Sequence, residues 1–247
     1  MMTRQLTQAP QEQLRQAGYT MLSRVFDEAE VVRLGQRLQE SLEQQAATAE
    51  SPVLQSRGQT YGARNLLQAF PEAVQLARHA ALCELLRETL GGEVGLVRGL
   101  FFDKPPDRSW SLPWHRDQTI AVEQNDLPSE HFRKPTRKAG VAHVEAPRSL
   151  LERMVTLRIH LDAMTDENGP LAVMPGSHLG DDAAQASPVT LKAQAGDVLA
   201  MRPLLLHSSG MSQQGAMSHR RVIHLEFAAD RELPDGYAWH TFLPIAG

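Results

Sequence analysis

Residues 154–162 read Met-Val-Thr-Leu-Arg-Ile-His-Leu-Asp, an alternation of apolar and polar side chains. Successive side chains of a β-strand point to opposite faces, so this period of two predicts a strand with one apolar and one polar face. Other strand candidates, separated by Gly, Pro, Asn and Asp, lie on either side of it. They are residues 94–102, 170–174, 189–192, 198–207 and 221–227. Many short strands without intervening helices predict a mainly β fold, a double-stranded β-helix of the cupin-like jelly roll kind.

The first ninety residues show a helical period instead. Residues 11–17 form a short predicted helix that ends at Gly18. Asp27 is placed to cap a second, longer helix. Pro71 opens a third, which is predicted to continue to Leu90. We expect these helices to pack on the sheet rather than to carry chemistry.

The domain organisation follows from these segments. No linker divides the chain, so we expect one domain over residues 1–247, with residues 1–92 as a mostly helical support and 93–230 as the jelly roll core. Residues 51–60 are predicted to be a loop. Residues 123–147 lack a clear period and are predicted to be a long insertion, which in a compact domain is often a lid.

Composition excludes several classes of protein. The net charge is −4, from 25 basic and 29 acidic residues, which gives no electrostatic footprint for nucleic acid. The sequence contains no run of about 18 apolar residues, so no membrane span is predicted. The polar N-terminus does not resemble a secretory signal. The single cysteine, Cys83, lies in an apolar helical pattern and is predicted to be a small buried hydrophobe. A cytoplasmic location is therefore expected.

The residues with chemical potential begin with His115 and Asp117. If this segment is extended, the two side chains point to the same face and can bind one metal ion. Much later an apolar strand ends at His207, and Arg220 follows after thirteen positions. Two histidines and one carboxylate on one face of ferrous iron leave three coordination positions, for a chelating 2-oxo acid and for O2. A 2-oxo diacid then needs a cation at its far carboxylate, a role that arginine fills with two hydrogen bonds.

The order of these motifs resembles the phytanoyl-CoA dioxygenase (PhyH) family of Fe(II)/2-oxoglutarate-dependent oxygenases. The matching stretches span most of residues 93–230, and the run from Asn168 to His178 is the most specific of them. They are Asp103-Lys104-Pro105-Pro106-Asp107, Trp114-His115-Arg116-Asp117, Asn168-Gly169-Pro170-Leu171, Pro175-Gly176-Ser177-His178, Gly196-Asp197-Val198, Leu205-Leu206-His207-Ser208-Ser209 and Arg220-Arg221-Val222-Ile223-His224.

The resemblance implies a set of roles. His115, Asp117 and His207 are then the iron ligands. Arg220 would hold the C5 carboxylate of 2-oxoglutarate, with Ser209 beside it, and Arg158 would line the cosubstrate pocket. The interval from His207 to Arg220 is longer by two residues than is usual in the family, so Arg221 stays an alternative to Arg220. Relatives that halogenate have a small residue where this chain has Asp117, so hydroxylation is expected.

Other polar residues have competing interpretations. A structural role is predicted for His160, His178, His224 and Lys104, solvent exposure for His219, and core packing for Trp114. The basic residues in the insertion are either a solvated loop or a surface that recognises an anionic small-molecule substrate. They are Arg133, Lys134, Arg137, Lys138 and the nearby His143.

Three classes of function compete at this stage. The leading hypothesis is an Fe(II)/2-oxoglutarate-dependent dioxygenase that hydroxylates a small organic substrate with release of succinate and CO2. The second is a non-catalytic cupin-like module that binds a metal or a ligand. The third is a metal-dependent hydrolase or isomerase on the same fold, with no 2-oxoglutarate dependence. The sequence does not identify the substrate or the oligomeric state.

Overall fold

The computed structural model describes residues 8–46, 51–56, 59–106, 109–180 and 187–245. Six α-helices, one short 3-10 helix (Pro234–Gly236) and fifteen strands are present in this part of the chain. The helices are α1 (Pro10–Ala17), α2 (Glu28–Ala46), α3 (Leu66–Ala69), α4 (Ala73–Ala77), α5 (Ala80–Leu90) and α6 (Arg148–Leu151). The strands are β1 (Tyr19–Leu22), β2 (Val53–Ser56), β3 (Gln59–Ala63), β4 (Gly95–Lys104), β5 (Leu112–His115), β6 (Thr119–Val122), β7 (Arg133–Lys138), β8 (Val141–Glu145), β9 (Met154–His160), β10 (Leu171–Val173), β11 (Val189–Thr190), β12 (Val198–Met201), β13 (His207–Ser209), β14 (Arg220–Ala228) and β15 (Leu243–Pro244).

The strands form an antiparallel jelly roll, as predicted. The large sheet has the order β1-β12-β9-β14-β4-β3-β2, with β15 added to β4. The small sheet has the order β11-β10-β13-β5. Side chains from both sheets line one cavity, which therefore lies between them. The other face of the large sheet packs on the helices of the N-terminal layer, where one hydrophobic cluster joins α2, α4 and α5 to β9 and β14.

The N-terminal helices begin and end for identifiable reasons. Gly18 ends α1 at a φ of 84°, a left-handed conformation that glycine adopts without strain. At the start of α2, Asp27 and Glu30 form a capping box, because each backbone N–H donates to the other residue's carboxylate. The prediction of a single helix from Pro71 to Leu90 was wrong. This segment contains two helices, α4 and α5, which are separated by residues 78–79, and His79 takes an extended conformation.

Two segments predicted to lack regular structure contain strands. Within residues 51–60, β2 pairs with β3, although residues 57–58 lie outside the described part. The segment 123–147 contains β7 and β8, a hairpin that joins β6 in a third sheet. Its turn, at Ala139 and Gly140, takes positive φ at both positions. The prediction that this segment lacks regular structure was therefore wrong. The strand β7 was not recognised because its exposed cationic side chains leave no alternation of apolar and polar residues.

The long central strand β9 is buried on both faces. Its apolar side chains contact the helical layer, and its polar side chains Thr156, Arg158 and His160 point to the other side, toward the small sheet. The alternation in the sequence thus separates the helix-packing face from a buried polar face. Among the described residues, no helix is both long and apolar enough to cross a membrane.

Candidate metal centre

His115, Asp117 and His207 meet between the two sheets. His115 on β5 lies opposite His207 on β13, with ring centroids 4.2 Å apart. The carboxylate of Asp117 lies 3.8 Å from Nε2 of His115 and 3.7 Å from Nε2 of His207. Each residue offers one ligand atom, and these atoms all lie within 4.8 Å of one another. The three side chains can therefore share one metal ion, and their donor set suits non-haem ferrous iron.

Backbone carbonyls orient both imidazoles. Nδ1 of His115 lies 2.7 Å from the carbonyl of Pro113, and Nδ1 of His207 lies 2.9 Å from that of Leu205. A carbonyl only accepts hydrogen bonds, so each Nδ1 carries the proton and each Nε2 keeps its lone pair for a metal. Burial also lowers the pKa of His207 to about 4, which leaves this ring neutral at neutral pH.

Asp117 is held ionised and in place. Burial acts to raise its pKa, but the His207, His224 and His115 rings together with Arg158 bring it below its ordinary value. Its backbone N–H donates to the carbonyl of Pro203 at 2.9 Å. These contacts fix the carboxylate beside the segment that leads into His207.

Arg116, the residue between His115 and Asp117, connects this segment to two others by hydrogen bonds. Arg116 donates to the carbonyl of Leu204 at 2.9 Å and to that of Ser177 at 3.2 Å. The hydroxyl of Ser177 accepts the backbone N–H of Leu206 at 2.8 Å. His178 then contacts the carbonyl of Arg15 in α1 at 3.1 Å. The Pro-Gly-Ser-His turn therefore ties both ligand-bearing segments to each other and to the helical layer.

A row of buried cations faces the ligands from the large sheet. Register places Arg220 opposite Lys104 and His224 opposite Arg158. The Nε atoms of Arg158 and Arg220 are buried without a hydrogen-bond partner in the described part of the chain. Burial, with repulsion from Arg158, lowers the pKa of Arg220 to about 9. Among the described residues Arg220 makes no ion pair with a carboxylate, and a buried guanidinium without a counter-ion is costly, so this end of the cavity suits an anion.

Lys104 extends this cationic row. Its side chain is 1 % exposed, and Nζ donates to the carbonyl of Gly210 at 2.7 Å and to Oγ of Ser209 at 3.4 Å. Burial and the neighbouring Arg220 and Arg158 lower its pKa to about 7. Sequence reasoning assigned it a structural role. Its position in β4, at an even interval from Leu100 and Phe102 on the cavity face, was the signal that could have identified it.

The Asn-Gly turn of the matched motif supports the same region. Asn168 is fully buried, and its side chain donates to the carbonyls of Ala163 and His219. Gly169 has a φ of 69°, and a Cβ atom there would lie 2.4 Å from the carbonyl oxygen of Gly210. That carbonyl is the acceptor for Lys104. Glycine is therefore required at this position by the turn and by the close approach of Gly210.

Strand alternation separates the two adjacent arginines. Arg220 is 6 % exposed and lines the cavity. Arg221 points away from the cavity and makes a bidentate ion pair with Asp162, at 2.9 and 2.7 Å. Of the two arginines, Arg220 is therefore the one that lines the cavity with the candidate metal ligands.

The cavity of about 350 Å³ contains the ligand triad, Arg158, Arg220 and Ser209. His224 also lines it and contacts the carboxylate of Glu226 at 3.2 Å. The prediction of a purely structural His224 therefore misses its place at the cavity wall. His160 is fully buried, but neither of its ring nitrogens has a hydrogen-bond partner in the described part of the chain, and burial lowers its pKa to about 3.

The prediction of core packing for Trp114 was wrong, because β5 is an edge strand of the small sheet and the indole is 42 % exposed. His219 is exposed, as predicted, and its Nδ1 lies 2.9 Å from a carboxylate oxygen of Asp103. Cys83 is buried, as predicted.

The basic residues of the β7–β8 hairpin divide into two groups. Arg133, Lys134 and Arg137 are exposed, and Lys134 pairs with Glu145 at 2.7 Å. His143 is buried, and desolvation with the nearby Arg98 lowers its pKa to about 4. Within this set, Lys138 alone lines the cavity.

The fold and the ligand triad define a jelly roll protein with a 2-His-1-carboxylate site. The sequence profile of the family described as phytanoyl-CoA dioxygenase (PhyH) matches residues 14–218. The chain belongs to this family of Fe(II)/2-oxoglutarate-dependent oxygenases. No curated protein is significantly similar to it in sequence.

Several solved structures share the fold. AviO1 from Streptomyces viridochromogenes Tue57 is 24% identical with a TM-score of 0.65, covering 92% of this chain and 96% of its own. EctD from S. alaskensis with bound Fe is 20% identical with a TM-score of 0.69, covering 90% and 78%. The non-heme alpha ketoglutarate dependent carbocyclase SnoK from nogalamycin biosynthesis is 19% identical with a TM-score of 0.66, covering 94% and 89%.

Proposed function

We propose that this protein is an Fe(II)/2-oxoglutarate-dependent dioxygenase that hydroxylates a small organic substrate. One C–H bond of the substrate becomes C–OH, and 2-oxoglutarate with O2 becomes succinate and CO2. The observation that carries the proposal is the cavity itself. It contains three side chains that could hold a metal ion and a buried arginine, Arg220, that makes no ion pair with a carboxylate among the described residues.

The proposed roles follow the geometry. His115, Asp117 and His207 hold Fe(II). Arg220 binds the C5 carboxylate of 2-oxoglutarate, and Ser209 donates its hydroxyl to the same group. The fold neighbour EctD has been solved with Fe and with 2-oxoglutarate and 5-hydroxyectoine, which supports this choice of metal and cosubstrate.

Two buried cations complete the proposed cosubstrate site. Lys104 supplies a third donor at the C5 carboxylate, because its Nζ already reaches Ser209. Arg158 lies beside Asp117 and offsets negative charge near the metal. Together they make the inner end of the cavity complementary to a dianion.

Bound iron would supply the redox chemistry that couples oxidation of 2-oxoglutarate to oxidation of the substrate. The side chains of the chain bind, orient and exclude water. Nδ1–H of each imidazole remains committed to a backbone carbonyl, so the ligands keep their orientation during turnover. The carboxylate of Asp117 occupies the position that is small in halogenating relatives, which supports hydroxylation as the outcome.

The two other classes predict different behaviour. A non-catalytic cupin-like module has no use for a buried, unpaired Arg220, whose desolvation costs stability. A metal-dependent hydrolase or isomerase would use the triad without the cationic end of the cavity. The dioxygenase accounts for both features.

Anaerobic titration of the protein with Fe(II) and then with 2-oxoglutarate tests the proposal. We expect a visible charge-transfer band that requires both additions, followed by succinate formation once O2 is admitted. Metal binding with no band and no succinate would reject the dioxygenase and favour the hydrolase class. Absence of metal binding would favour the module.

Lys104 gives this cosubstrate site a pH dependence. The pKa of its ammonium is lowered to about 7, so its positive charge is present below that pH and is lost as the pH rises through it. The KM for 2-oxoglutarate should therefore increase between about pH 6.5 and 8.5, by roughly tenfold, the effect of one charged hydrogen bond. We expect Lys104→Met to have the high KM at every pH. A parallel rise of KM in the variant would contradict this role.

A further inference from the structure

The outer end of the cavity carries positive charge that the proposed cosubstrate does not explain. Arg64, Arg98 and Lys138 line the part of the cavity that we call its outer end, where Arg98 and Lys138 both donate to Thr119. Arg64 follows the last residue of β3, Arg98 lies on β4 and Lys138 is the last residue of β7. Only the tertiary structure brings them together.

One of these three charges is neutralised. Arg98 lies 3.3 Å from Glu226, and both side chains are about nine-tenths buried. Glu226 is ionised, because Arg98 and His224 outweigh the effect of burial and lower its pKa. Arg98 is therefore committed to a structural ion pair across β4 and β14.

The other two cations make no close ion pair in the described ranges of the chain, because no carboxylate lies within 4.0 Å of the guanidinium of Arg64 or of Nζ of Lys138. Glu226 and Asp117 act on Lys138 from a longer distance. Nζ of Lys138 donates to the hydroxyl of Thr119 at 3.2 Å. Both groups are partly buried, and desolvation with repulsion from Arg98 lowers the pKa of each.

Two aromatic rings also line the cavity. Tyr61 interacts electrostatically with Arg64 and packs edge to face on Trp110, with ring centroids 6.1 Å apart, and Nζ of Lys104 lies 5.3 Å from the centroid of the Trp110 ring. The outer end therefore combines an aromatic ring with two cations that have no carboxylate partner within 4.0 Å among the described residues. This combination is complementary to an organic anion rather than to a neutral or cationic molecule.

We propose that Arg64 and Lys138 bind a carboxylate or phosphate group of the primary substrate and so direct its C–H bond toward the metal triad. This inference rests on the proposed function, because it assigns the outer end of the same cavity to the substrate. It also divides the basic hairpin residues: Lys138 belongs to the site, whereas Arg133, Lys134 and Arg137 are solvated.

Calorimetric titration of the Mn(II)- and 2-oxoglutarate-saturated protein tests the proposal with three probes. These are phenyl phosphate, benzoate and the neutral benzamide. We expect both anions to bind at least about tenfold more tightly than benzamide, which lacks the charge-assisted hydrogen bonds. A preference for phenyl phosphate indicates a phosphorylated substrate, and a preference for benzoate indicates a carboxylic acid. Equal binding of benzamide, or no binding of either anion, would overturn the proposal.

Variants locate the binding to this end of the cavity. Arg64→Met and Lys138→Met should each weaken binding of the preferred anion by about tenfold, whereas Arg137→Met, a matched change on the solvated side of the same hairpin, should not. Unchanged binding in both cavity variants would overturn the assignment. The same titrations on metal-free protein separate this proposal from the proposed iron chemistry. Weaker anion binding by the Arg64→Met and Lys138→Met variants then reports on the outer end of the cavity, whether or not the protein is an oxygenase.

Discussion

His115→Ala and Asp117→Ala are each expected to abolish iron binding and, with it, all 2-oxoglutarate turnover. Each ligand supplies one of three donors, and no other group of three metal-binding side chains was found among the described residues to replace them. Loss of a residue that merely orients a ligand lowers metal affinity by about 10–100-fold, so loss of a ligand should exceed this. Fe(II) affinity measured by anaerobic titration, and CO2 release from labelled 2-oxoglutarate, provide the two readouts.

Thermal unfolding gives a third readout that does not depend on activity. A ligand that binds the native state alone stabilises it, by about 2.7 kcal/mol when present at 100 times its Kd. Mn(II) should therefore raise the unfolding midpoint of the wild-type protein but not that of either variant. His240→Ala removes an exposed imidazole and serves as the control, which should bind metal normally. Undiminished CO2 release from Asp117→Ala would reject the assignment of the triad.

Arg220→Gln and Arg221→Gln should have opposite effects, although the residues are adjacent. We expect Arg220→Gln to raise the KM for 2-oxoglutarate by about 100-fold, since breaking a buried charge pair costs about 3 kcal/mol. Its effect on the stability of the ligand-free protein should be neutral or favourable, because Arg220 is a buried charge that makes no ion pair with a carboxylate in the described part of the chain.

Arg221→Gln should leave that KM unchanged. It breaks the partly exposed pair with Asp162, and the expected loss of about 1 kcal/mol corresponds to about 2–4 °C in the unfolding midpoint for a chain of this size. Steady-state kinetics and thermal unfolding of both variants separate the two roles. A large increase in KM for Arg221→Gln, with little for Arg220→Gln, would reverse the assignment.

The candidate metal ligands could be predicted from local spacing and from motif order. The spacing of two residues predicts that His115 and Asp117 lie on one side of an extended segment, although β5 ends at His115 and Asp117 follows it, and the family resemblance adds His207. The jelly roll was predicted for the same reason, since turns and period-two stretches are visible in the residues themselves. In the structure, the pairing of β13 with β5 brings His207 opposite His115.

The predictions that failed depend on neighbours distant in sequence. The β7–β8 hairpin has almost no apolar alternation in β7, because that strand is exposed and pairs only with β8. Trp114 is exposed because β5 lies at an edge, which no local pattern indicates. Lys104 reads as part of a turn, and its burial beside Ser209 results from the pairing of β4 with β14 and the approach of the Asn168-Gly169 turn.

The sequence alone therefore determined the fold class, the family resemblance and the three side chains of the candidate metal site, since these depend on short-range periodicity and on motif order. Tertiary structure alone decided which of two adjacent arginines enters the cavity, because inward and outward directions depend on the register of β14 with β4 and β9. It also decided which basic residues remain without a counter-ion. Whether a charged side chain has a counter-ion depends on distances in three dimensions. Arg64 and Lys138 line the same cavity although 74 positions separate them in the sequence.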